Sequence, residues 1–208
     1  MEFPFFTAKA LNCDDDGFAI IDGGQPHLYR RPGAGGHNPL GGGATAASTP
    51  AQQMEEIIDR MGAASAKAQK LPQVITTTGK LFASDNRLYL QAVGKAVVGL
   101  LKVGKRNLFI NGGSGQIKEI KPLCVLDFYV HESVQRGGHG RALFAKMLQA
   151  ENARPEKLGY DRPSEKLIAF CGRHFGLRKY VPQNNNFVVF DAYWDASRAG
   201  PGAGPQSS

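Results

Sequence analysis

The sequence lacks any apolar run near the ~20 residues that span a bilayer, so no membrane partner is expected. Cysteine is scarce. Cys13, Cys124 and Cys171 are scattered, and no two form a C-x-x-C pair. This argues against a structural zinc site and against a disulfide framework. No metal is expected, and any sulfur chemistry would use a free thiol. The N-terminus, Met1-Glu2-Phe3-Pro4-Phe5, has neither the basic segment nor the apolar core of a secretory signal, which points to the cytosol or nucleus. Neither G-x-G-x-x-G nor G-x-x-x-x-G-K-[ST] occurs, which weakens dinucleotide and P-loop readings. Aromatics are not interleaved with the basic residues in a recognition pattern, so no nucleic-acid partner is expected.

What is present fits one soluble domain with its own core: 208 residues, 42% hydrophobic and 21% charged. The net charge of +7 favours polyanionic partners or a phosphorylated cofactor, and serves solubility equally well. Composition divides the chain. Residues 1–21 read as an N-terminal arm with Phe3, Phe5, Phe6 and Leu11 to dock it. Residues 22–47 read as a Gly-rich flexible insertion, 48–195 as the folded domain, and 196–208 as a disordered tail.

Within the folded domain, Thr49-Pro50-Ala51-Gln52 is a capping box with proline at the first helical position. It opens a helix to about Lys70, with Met54, Ile57, Ile58, Met61, Ala64 and Ala68 at helical spacing. Strands 88–93 and 96–103 meet at Gly94-Lys95, a hairpin signal. Leu108-Phe109-Ile110 precedes a glycine-rich turn. A long strand region, 120–130, is expected to pair with it. Helices are expected over 137–149 and 163–175, with short strands at 179–181 and 187–190. The order predicts a mixed α/β layer.

The strand Leu123–Val130 runs into Gln135-Arg136-Gly137-Gly138-His139-Gly140-Arg141, and a helix follows. The first amides of a helix lack internal partners, and its dipole favours anions there. Arg136 and Arg141 add charge and bidentate reach. The arrangement reads as a phosphate or pyrophosphate cradle. Asp161, before Arg162-Pro163-Ser164, reads as an acid at a helix mouth. Cys124 reads as a small buried hydrophobe. Gln69 lies on the inward face with Ile58, Gly62 and Ser65, where its amide needs partners. His131 and His139 show no ligand pattern.

Q-x-x-G-x-G, carried by Gln135, Gly138 and Gly140, resembles the acetyl-CoA loop of the GNAT acetyltransferases. The segments 123–136, 64–69, 161–164 and 181–190 resemble the α-tubulin N-acetyltransferase family more closely, as does Met1-Glu2-Phe3-Pro4-Phe5. The resemblance covers roughly 1–6 and 50–193, and neither the Gly-rich insertion nor the tail.

It implies a GNAT-like α/β fold, with a mixed, mostly antiparallel central sheet flanked by helices. It implies acetyl-CoA as co-substrate and α-tubulin in microtubules as partner, with no metal. It implies Gln69, Cys124 and Asp161 as active-site residues. It places Phe128, Tyr129, Val130, Gln135, Arg136, Gly137, Gly138, His139, Gly140, Arg141, Ser164, Glu165 and Lys166 against the CoA moiety. Arg162, Lys102 and Lys105 are implied on the substrate side, the two lysines within a basic cluster with Arg106, Lys118 and Lys121.

The expected activity is acetylation of the ε-amine of a luminal α-tubulin lysine, by direct transfer with general-base assistance. A monomer in the cytoplasm and cytoskeleton is expected, with the cilium or flagellum axoneme as a further location. The alternatives are a catalytically silent microtubule-binding module and a GNAT enzyme acting on another protein lysine.

Overall fold

The structure is a computed structural model; it describes residues 1–29, 48–111 and 116–195. A six-stranded sheet forms its centre. The strands are β1 (Phe18–Asp22), β2 (Arg87–Val93), β3 (Ala96–Lys105), β6 (Leu123–Val130), β7 (Gly159–Asp161) and β8 (Phe187–Val189), adjacent in that order. All neighbours are antiparallel except β6 and β7. A separate hairpin of β4 (Leu108–Asn111) and β5 (Ile117–Ile120) stands beside the sheet. This is the mixed α/β architecture that the sequence implies.

Helices α1 (Thr7–Leu11) and α2 (Pro50–Ala68) cover one face, followed by the short α3 (Thr78–Phe82). Helices α4 (His139–Ala150) and α5 (Glu165–Phe175) cover the other. Helix α2 starts where the capping box requires. The Thr49 hydroxyl accepts the Gln52 N–H, and the Gln52 side chain accepts the Thr49 N–H. Such a cap stabilises by about 0.5–2 kcal/mol. Ile57, Ile58 and Met61 are fully buried; each contributes about 1.5–3 kcal/mol by leaving water. Ala68, assigned to the same stripe, is exposed, because Ser65 and Ala66 take the inward positions of the last turn.

The expected long strand over 120–130 is two strands. Pro122 lacks an amide hydrogen for a ladder, and the chain changes sheets there. Residues 117–120 pair with β4, and 123–130 with β3. The N-terminal arm is more than a docked segment. Residues 18–22 form the edge strand β1, and Phe3 enters the core under α2. Of the expected flexible insertion, residues 22–29 are structured, and 30–47 lie outside the described residues. The expected tail, 196–208, also lies outside them. The expected strand at 179–181 is a single bridge between Tyr180 and Phe190.

Candidate active site

β6 and β7 pair only at Cys124 with Gly159 and at Val125 with Tyr160. Past Val125, β6 runs on to Val130 with no strand on that side among the described residues, while β3 still pairs with its other edge. The two parallel strands therefore open a cleft. Beneath it, the Phe128 ring packs on Phe144 of α4 and Phe170 of α5 at 5.7 and 5.3 Å between centroids. This aromatic contact holds α4 and α5 under the open edge.

The chain then turns into α4 through Glu132–Gly138. The Gln135 side-chain amide donates to the Val130 carbonyl at 2.9 Å, tying the loop to the strand. Arg136 and Gly138 have left-handed backbones, with φ of 69° and 84°. Gly138 is the α4 N-cap, and no side chain caps it. The first helical hydrogen bond runs from Ala142 N–H to Gly138 O, so the amides of His139, Gly140 and Arg141 precede the ladder. No acid lies in the first turn. A Cβ on Gly140 would meet Phe128 Cζ at 3.2 Å and Val130 Cγ2 at 3.4 Å. Glycine thus lets the helix start close against the open strand.

Helix α5 begins differently. Ser164 caps it by accepting the Leu167 N–H at 3.2 Å, and Glu165 stands in its first turn. Lys166 approaches the loop after β6. Against a burial penalty, the Tyr129 hydroxyl, then His131 and Lys166, hold the Glu132 carboxyl below its usual range.

The other half of the site lies on the α2 side of the sheet. Lys102 and Gly104 share a face of β3 and pair with Asp127 and Cys124 of β6. Those partners are three apart, a spacing that normally puts side chains on opposite faces. A bulge in the β3–β6 register brings both to the same face. Gly159 lies beside Cys124, where a Cβ would approach Sγ to 2.7 Å; Asp161 follows on the same face of β7.

Asp161 is half-buried. Burial pushes its carboxyl up, while Arg162, Arg106 and Lys102 pull against that. Cys124 is fully buried, and its Sγ lies 3.6 Å from the Pro122 carbonyl. Burial pushes its thiol up to about 12; Arg106 opposes this and Asp161 adds to it. The thiol is therefore protonated at neutral pH. Gln69 sits over this face at the end of α2. Its side-chain nitrogen donates to Ser65 Oγ at 2.7 Å and to Asp127 Oδ1 at 2.9 Å.

The structure thus brings Gln69, Cys124 and Asp161 to one side, and Gln135–Arg141, Phe128 and Val130 to the open strand and helix. Ser164, Glu165 and Lys166 start α5, as expected. Three side chains are already engaged within the protein. Tyr129 turns its ring into the α2-side core and bonds Glu132 at 2.8 Å, so its side chain is outside the cleft. His139 bonds Gln91 at 3.2 Å through Nδ1. Lys102 is no part of an exposed basic cluster: it is 6% exposed, and its Nζ donates to the Ile75 carbonyl at 2.6 Å. Burial depresses its ammonium, and Asp127 opposes this. Lys105, Lys118 and Lys121 are exposed. Arg162 is exposed, at φ 42°, on a cleft of about 490 Å³ shared with Pro163, Tyr180, Asn186 and Val188.

Sequence reasoning missed Asp127. Its signal was a lone acid in the apolar run Leu123–Val130, matched by a lone lysine, Lys102, in the apolar run 96–103. A buried charge of that kind needs partners.

A splayed parallel strand pair above an uncapped helix N-terminus defines a GNAT-type N-acetyltransferase fold. The model of the family described as "GNAT acetyltransferase, Mec-17" matches residues 38–206, and this chain belongs to that family. Curated relatives include the alpha-tubulin N-acetyltransferase of Tetrahymena thermophila, 47% identical across 95% of this chain and 46% of its own length. That of Trichoplax adhaerens is 50% identical across 71% of this chain and 68% of its own. That of Anopheles gambiae is 49% identical across 71% of this chain and 31% of its own. The chain thus spans less than half the length of the Tetrahymena and Anopheles relatives.

Proposed function

We propose that this chain is an acetyl-CoA-dependent lysine N-acetyltransferase that modifies a lysine of α-tubulin on the luminal face of microtubules. The observation that carries this reading is the cleft itself. An anion-ready helix start lies at one side and a half-buried carboxylate at the other, in a chain of the Mec-17 family.

The donor side fits a CoA pyrophosphate. The amides of His139, Gly140 and Arg141 offer N–H groups at the positive end of α4, free of a competing acid. Arg136 and Arg141 add charge and bidentate reach. The open edge of β6 at Phe128–Val130 gives an extended, amide-containing arm a strand to pair with. Bound acetyl-CoA would supply an activated acetyl group as a thioester.

The acceptor side must deprotonate an amine. A lysine with pKa ~10.4 is neutral in only about one copy of a few thousand at pH 7. Asp161 accepts that proton, directly or through water. Its raised pKa makes it a better base than an ordinary aspartate. Cys124, protonated and buried, forms a wall of the site rather than a nucleophile, and transfer is direct. Arg162 and the exposed Lys105 face the substrate, where acidic tubulin side chains fit their charge. The protein works as a monomer in the cytoplasm and cytoskeleton, including cilia or flagella.

Incubation with acetyl-CoA and polymerised tubulin, followed by peptide mass mapping, tests this. The expected product is α-tubulin acetylated at one luminal lysine. Unmodified α-tubulin, with acetylation of other protein lysines, would refute the substrate assignment.

A further inference from the structure

Asp127 has no part in the chemistry above, yet it is 3% exposed and accepts three side-chain hydrogen bonds. Ser65 Oγ and Gln69 Nε2 bond Oδ1 at 2.7 and 2.9 Å, and Thr76 Oγ1 bonds Oδ2 at 2.5 Å. Lys102 stands opposite it on β3 and balances its charge. An ionised carboxylate only accepts, so the amide group facing it must be the NH2 of Gln69. The Ser65 hydroxyl spends its one hydrogen on Asp127, which leaves its oxygen to accept the second Gln69 N–H at 2.7 Å.

Both amide hydrogens are therefore consumed inside the protein. Gln69 Oε1 has no hydrogen-bond partner among the described residues, and the side chain is only half-buried. The flipped amide would set its oxygen against a carboxylate oxygen. The β6 bulge puts Asp127 on the face that carries Cys124 and Asp161, and Gln69 is bonded to Asp127 on that face.

We propose that Asp127, together with Ser65, is a positioning residue that locks the Gln69 amide with its carbonyl oxygen outward, where it accepts an N–H of the incoming lysine. This rests on the lysine acetyltransferase reading. An amine approaching Asp161 carries more N–H groups than one base can take. A fixed neutral acceptor orients the nitrogen without competing for the transferred proton.

A double-mutant cycle on polymerised tubulin tests the idea, with acetyl-CoA affinity and thermal melting measured alongside. Gln69→Ala and Asp127→Ala should each lower kcat/KM for tubulin by about tenfold or more, with acetyl-CoA affinity within about twofold of wild type. The double variant should fall no more than about threefold below Gln69→Ala, because Asp127 acts through Gln69. Losses that multiply, or an Asp127→Ala variant as active as wild type, would overturn the proposal.

If Asp127→Ala fails to fold, the cycle is read with Ser65→Ala, which keeps the carboxylate and its Thr76 bond. A several-fold loss that vanishes in the Gln69→Ala background supports the lock; a loss that persists there overturns it. Wild-type protein that leaves tubulin unmodified would instead sink the function on which the lock depends.

Discussion

Two helices begin at the candidate site, and they begin in opposite ways. Helix α5 is self-sufficient: Ser164 caps an amide and Glu165 meets the dipole. Helix α4 has neither device. Its N-cap is a left-handed glycine, its first turn holds no acid, and Arg136 and Arg141 flank it. A helix end that leaves its amides and its dipole uncompensated is placed to hold an anion. The end that compensates itself instead follows Asp161, which closes β7 three residues before the Ser164 cap. The contrast supports the proposed division of the cleft into a donor half at the start of α4 and an acceptor half on the α2 side of the sheet, reached through Asp161 just before α5.

The largest effect should come from the acceptor half. Asp161→Asn removes the proposed base and should lower turnover by about a hundredfold or more, with acetyl-CoA affinity within about twofold in calorimetry. The pH profile should agree. Asp161 must be ionised to accept a proton, so activity rises with pH through its pKa. Burial raises that pKa, so the acid limb of kcat/KM should lie above the usual carboxylate range and vanish in Asp161→Asn.

The next effect belongs to the donor half. Arg141→Ala should weaken acetyl-CoA binding by about 1–3 kcal/mol. Arg141→Glu, which gives α4 an acid like that of α5, should weaken it by about a further 0.3–1 kcal/mol. Equilibrium titration measures both.

Ser164→Ala should behave in the opposite sense. It should cost about 1 kcal/mol of stability in denaturant unfolding, with a smaller loss of acetyl-CoA affinity than Arg141→Ala. The smallest effect concerns Cys124. With its thiol pushed up to about 12, it should resist iodoacetamide at pH 7–8, and the rate profile should show no thiol limb in that range. Rapid labelling of Cys124 in a peptide map would contradict this.

Much of this contrast was legible in the sequence. The glycines and arginines of 135–141, between an apolar strand and an apolar helical stripe, announce the uncapped, basic start of α4. Thr49–Gln52 and Gly94-Lys95 mark their helix start and hairpin because capping and turn chemistry are local. What failed was long-range. β1 is five residues behind an acidic run, and β7 is three residues long; neither carries a period of its own. Pro122 signalled the break in 120–130, but the partner on each side is set by the sheet.

The bulge that unites Cys124 with Asp127 lies in the β3–β6 register, which one strand's sequence does not encode. Lys102 fits a basic cluster by sequence because lysine is usually exposed. Its carboxylate partner across the sheet reverses that.

The measurement that tests the division most directly is calorimetric titration of acetyl-CoA into wild type, Arg141→Glu and Ser164→Ala. Wild type should bind tightly, Arg141→Glu should lose about tenfold or more, and Ser164→Ala should bind nearly as wild type does. Equal affinity for wild type and Arg141→Glu, or a loss confined to Ser164→Ala, would contradict it.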